Sequence, residues 1–77
     1  MALYNVKWYS GMVLNERPAS IVMDGEEIPI SRIVWREIRE DNITRERKRI
    51  FIVETAKGNF KISYNFTNEA VEVEPIE

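Results

Sequence analysis

Ile50, Phe51, Ile52 and Val53 stand consecutively between charged residues, and this short run narrows the choice of fold more than any other stretch. Four apolar residues are too few for a helix to bury itself, but enough for a strand covered on both sides. Alternation puts Ile50 and Ile52 on one face and Phe51 and Val53 on the other. A strand apolar on both faces belongs inside a sandwich or closed barrel. Phe60, Ile62 and Tyr64 alternate with Lys61 and Ser63 just downstream, so the chain returns as a second strand. A two-residue Lys57-Gly58 turn would pair Val53 with Ile62, but it forces Lys57 to positive φ. A three-residue Ala56-Lys57-Gly58 loop, with Gly58 left-handed, pairs Ile52 with Ile62 and is the favoured reading.

Upstream, Asp24-Gly25 separates two alternating runs, and a type I′ turn needs positive φ at both central positions. This hairpin pairs Met23 with Glu26, Ile21 with Ile28 and Ala19 with Ile30. Pro29 falls opposite Ser20 at a non-hydrogen-bonded position, so the strand is a sheet edge there or bends nearby. Ser31-Arg32 marks that bend. Ile33 to Arg39 reads as a strand rather than a helix, because β-branched residues and Trp35 dominate its start. Its alternation puts Val34, Arg36 and Ile38 on one side and Ile33, Trp35, Glu37 and Arg39 on the other, with Trp35 in the core. Glu40 to Lys48 is polar and reads as a long exposed loop.

Leu3 to Tyr9 forms a first strand with Tyr4, Val6 and Trp8 on one face, and Ser10-Gly11 breaks it. Met12 to Leu14 is apolar but short. Ala70 to Glu74 is a last strand, with Val71 and Val73 inward and Pro75 ending it. The expectation is a single all-β domain over residues 1–77. Its five or six strands form antiparallel hairpins in a small barrel or sandwich, SH3-like or OB-like.

Composition bounds the chemistry. The 77 residues contain no cysteine and no histidine, which removes thiolate and imidazole metal sites, catalytic triads and cysteine nucleophiles. A chain this short buries only about 60% of its unfolded surface, and self-association is one remedy for a small core. The lack of cysteine fits a reducing, cytoplasmic setting. No apolar run approaches the roughly 20 residues of a membrane span, and no basic-then-apolar leader opens the sequence.

Arg17-Pro18 at the start of a hairpin, Gly25, Ile28-x-Ile30-x-x-Ile33 before Trp35, a basic loop, Arg49-x-Phe51-x-Val53 and Gly58-x-Phe60-x-Ile62 together form a pattern. Over residues 17 to 73 it resembles a family of short uncharacterised bacterial β domains. Some members of that family lie beside, or are fused to, Y-family DNA polymerases. The resemblance implies a small β fold and a repair-linked setting, and it brings no biochemical activity. Trp35 lies closer to Ile33 than the family pattern has it.

Charge is distributed unevenly. The segment 32–49 is rich in arginine, whereas the tail from Glu69 to Glu77 holds only acids. Arg36, Arg39, Arg45, Arg47, Lys48 and Arg49 are the candidate binding residues, since arginines grip phosphates in a fork and nearby aromatics stack bases. Interleaved Glu37, Glu40, Asp41 and Glu46 supply the competing reading of a solvated, locally neutralised face. Tyr9 shares its face with Asn5 and Lys7 and reads as an exposed interface residue. The acid pairs Glu26-Glu27, Glu40-Asp41 and Glu72-x-Glu74 sit in turns, loops or solvent, without the cleft that paired-carboxylate catalysis needs. The sequence therefore reads as a non-catalytic module without a cofactor, binding a protein partner or itself. The alternative is a nucleic-acid-associated module using the basic segment.

Overall fold

A computed structural model describes residues 4–9, 11 and 17–76. Six strands follow one another as β1 (Tyr4–Tyr9), β2 (Arg17–Met23), β3 (Glu26–Glu40), β4 (Arg47–Thr55), β5 (Gly58–Asn65) and β6 (Val71–Ile76). Each is antiparallel to the next, in one sheet ordered β1-β2-β3-β4-β5-β6. The described residues contain no helix. The readings at Leu3 and at Met12 to Leu14 lie outside the described residues.

The sheet curls into a half-barrel, with its apolar residues on the concave face. Phe51, Ile21, Ile62 and Val53 are fully buried, and Val6 and Phe60 complete the cluster. The curl carries β1 over β4 and β5. Trp8 meets Phe51 at 6.0 Å and Tyr64 at 5.5 Å between ring centroids, and Tyr4 meets Phe60 at 5.8 Å. Edge-on aromatic pairs of this kind contribute about 0.5–1.5 kcal/mol each beyond their burial. The face expected for Tyr4, Val6 and Trp8 is therefore the core face. Ile50 is buried too, but on the convex side, between Glu37 of β3 and Ser63 of β5.

The Asp24-Gly25 turn forms as the sequence dictates, with φ of 50° and 84°. Met23 pairs with Glu26, Ile21 with Ile28 and Ser20 with Pro29. Pairing ends there, so Ala19 and Ile30 do not meet across the ladder as expected. The Ser20–Pro29 pair is non-hydrogen-bonded, so the missing N–H of Pro29 points away from β2, and it is the bulge between Ile30 and Arg32 that swings the strand away from β2 and onto β4.

Four other expectations need correction. The Ala56-Lys57 turn joins Thr55 paired with Gly58, so Phe51 pairs with Ile62 and Val53 with Phe60; neither register considered from sequence is adopted. The Thr55 hydroxyl fixes this turn, accepting the Lys57 N–H at 3.1 Å and donating to the Gly58 carbonyl at 2.8 Å. Gly58 does take positive φ, at 118°. Trp35 is not a core residue. A second bulge between Ile33 and Trp35 keeps Ile33 opposite Val53 and turns Trp35 to the convex side, 58% exposed.

The loop after β3 is shorter than the polar composition suggested, because Arg47 and Lys48 belong to β4 and pair with Glu40 and Arg39. Asp41 closes the loop through its Oδ1, which accepts the Ile43 and Thr44 N–H groups, and Arg45 takes φ of 64°. Finally, Pro75 does not end the last strand. It sits in β6 opposite Phe60, where an edge position spares it a second ladder bond.

Candidate interaction surface

Strand alternation divides the basic segment. Arg36 and Arg49 face the concave side with Ile38, through the pairs Arg36 with Phe51 and Ile38 with Arg49. Arg47 lies on that side too, opposite Glu40. Arg39 and Lys48 pair with each other on the convex side, and Arg45 sits in the hairpin tip. The candidate residues therefore do not form one patch.

The arginines also differ in the contacts they make. Arg39 is held by Glu37 at 3.1 Å and Arg32 by Glu54 at 3.0 Å, both exposed pairs. Such pairs contribute little to stability. Arg47 and Arg49 lie over the Phe66 ring, 5.7 and 5.1 Å from its centroid, and Phe66 meets Tyr64 edge-on at 5.4 Å. Asp41, in the tip, has its carboxyl held below the usual range by the Thr44 and Ile43 amide donors.

Tyr9 is 46% exposed, in line with its expected role at the surface, and the Arg17 guanidinium lies 4.4 Å from its ring centre. Sequence reasoning did not connect Arg17 to the candidate residues. The structure brings Tyr9, Arg17, Arg32 and Arg36 around a cleft of about 440 Å³. This cleft opens where β2 and β3 part company after Pro29. Its described lining contains three arginines and no acid.

The long arm of β3 is the second feature that the sequence did not disclose. From Arg32 to Glu40 it pairs with β4 on one side, and no described strand pairs with the other. The Asp41 N–H donates to the Glu46 carbonyl at 2.9 Å, which makes 41–46 a hydrogen-bonded pair. Antiparallel ladders alternate bonded and non-bonded pairs. The amides of Glu37 and Arg39 therefore face β4, whereas those of Arg36, Ile38 and Glu40 point outward. The opposite strand agrees, since the Arg47 carbonyl accepts from Phe66 N–H and so faces away from β3. Exposed Val34 (48%), Trp35 (58%) and Ile38 (53%) accompany this edge. A period-2 pattern could have located the outward amides only if both bulges had been known.

Searches against protein-family models, curated proteins and solved structures return no match to this chain. Among the described residues, no helix is long and apolar enough to cross a membrane.

Proposed function

We propose that this chain is a non-catalytic interaction module that binds another polypeptide by strand addition along the open edge of β3. One observation carries the reading: the outward amides of Arg36, Ile38 and Glu40 lie on a regular, exposed strand among large apolar side chains. Unpaired strand edges are templates for pairing, and native proteins blunt them unless they are used. Here charge does some blunting, but Val34, Trp35 and Ile38 work against it. The lack of cysteine supports placing this activity in the cytoplasm. A repair-linked setting rests on the family resemblance alone.

The test is a selection of extended peptides against the wild-type chain and an Ile38→Pro variant. Proline at 38 removes an outward donor while leaving the ladder to β4 intact. Ligands that bind the wild type and lose the variant support the reading, and ligands recovered equally by both contradict it.

A second reading, a site for single-stranded nucleic acid, is favoured by Arg47 and Arg49 over Phe66 beside Tyr64. Oligonucleotide binding that falls steeply with salt and is lost in Phe66→Ala would support it. No binding at low salt would end it.

A further inference from the structure

We propose that the partner at this edge is a second copy of the same chain. The two β3 strands would run antiparallel, with Ile38 opposite the partner's Ile38. The inference rests on the strand-addition reading above and identifies the occupant of that edge.

The outward amides restrict the register. Arg36, Ile38 and Glu40 bond across a two-fold axis only if they face one another, so the axis passes through residue 36, 37, 38, 39 or 40. Through 36 or 39, arginine meets arginine. Through 37 or 40, glutamate meets glutamate. Through 38, isoleucine meets isoleucine and every charge meets its opposite. Arg36 then faces the partner's Glu40, and Glu37 faces the partner's Arg39, with the reciprocal pairs repeated by symmetry. The Ile38 pair and the two pairs between residues 36 and 40 each exchange two backbone hydrogen bonds. Glu37 and Arg39 fall in the non-bonded pairs, where side chains approach most closely. They are already neighbours within one chain at 3.1 Å, so pairing exchanges the two internal contacts, one in each chain, for two across the interface. An isologous contact of this kind closes on itself and does not propagate into a fibre.

The same register accounts for the cleft. Beyond Glu40, the partner's hairpin tip, closed by the bond between residues 41 and 46, comes alongside residues 35 to 33, at the mouth of the cleft where β2 has diverged. That tip carries Glu40, Asp41 and Glu46 against one arginine, together with Ile43, 92% exposed. The cleft it meets is lined by Arg17, Arg32, Arg36, Tyr9 and Ile33. An acidic tip with an apolar point thus comes beside an arginine-lined cleft with an apolar wall. Val34 and Trp35 lie along the way.

Sedimentation equilibrium on the full chain over a concentration series tests this. Wild type should form dimers. Glu37→Arg and Arg39→Glu should each weaken dimerisation by about tenfold, since each sets like charges opposite at two symmetric places. The double variant E37R/R39E should return to near wild-type affinity, because opposite charges face each other again. A double variant no tighter than the singles would overturn the register. A wild-type monomer at every concentration, whose peptide ligands still depend on Ile38, would overturn self-pairing and leave the strand-addition reading standing. Dimerisation and peptide binding both indifferent to Ile38→Pro would overturn the two together.

Discussion

β3 is one strand in two settings. Between Glu26 and Ile30 it lies between a tight turn and β2, and its Ile28 is buried. Between Arg32 and Glu40 it has, among the described strands, β4 on one side and none on the other, and its apolar side chains are largely in solvent. The residue types hardly differ, since both halves mix isoleucine with charge. What differs is the neighbour. The bulge after Ile30 hands the strand to β4. The comparison teaches that an apolar residue in a strand is a core residue only where a second layer or a second neighbour covers it. Ile28 has that cover, whereas Trp35 and Ile38 lie beyond it.

The largest break in this comparison should come from truncating one covered and one uncovered aromatic. Phe51→Ala removes a fully buried ring from the centre of the concave core. It should cost about 3–5 kcal/mol, enough to unfold most of so small a domain in thermal or urea denaturation. Trp35→Ala should change monomer stability by no more than about 0.5 kcal/mol, although Trp35 is the larger side chain.

A proline pair sharpens the comparison within the open half. Glu37→Pro removes an N–H that bonds to β4 and leaves an acceptor without its donor, so it should cost about 1–3 kcal/mol. Ile38→Pro removes only an outward N–H and should cost clearly less. Equal losses in urea titrations would show that the assigned alternation of amides is wrong.

The smallest effect concerns acid. In the covered half, Glu27 accepts from the Ser20 hydroxyl at 2.8 Å and from Lys7 at 3.2 Å. The Ser20 bond, then Lys7, lowers its pKa below the ordinary 4.5. A carboxylate with a depressed folded pKa adds stability that is complete above its unfolded pKa and is lost as pH falls through the folded value. Stability should therefore hold from neutral pH to near 4.5 and decline below it, and Ser20→Ala should shrink that decline. In the open half, Asp41 behaves likewise through its tip amides. Asp41→Asn keeps an acceptor for Ile43 and Thr44 and should remove the Asp41 part of the acid dependence while leaving the tip in place.

The same contrast explains what could be read from the sequence. The Asp24-Gly25 hairpin was legible because its φ requirement is local and its flanking pattern agrees with it. The core face of Tyr4, Val6 and Trp8 and the exposure of Tyr9 followed from simple alternation, because the register shift between Lys7 and Trp8 puts its extra residue, Ala19, on β2 and leaves β1 regular. Trp35 was not legible, because one inserted residue between Ile33 and Trp35 reverses every later side chain. The register at Lys57-Gly58 failed because the Thr55 hydroxyl places the turn one residue earlier than the glycine suggests. The arginines were recognisable as candidates, but their division between two faces, and the meeting of Arg17 with Tyr9 and Arg36, depend on contacts made far apart in the chain.

Residue-resolved amide exchange at low and high protein concentration tests the central claim most directly. The account predicts that Glu37 and Arg39 are protected at both, through β4, whereas Arg36, Ile38 and Glu40 exchange freely when dilute and become protected when concentrated. Exchange at Arg36, Ile38 and Glu40 that does not depend on concentration would contradict it.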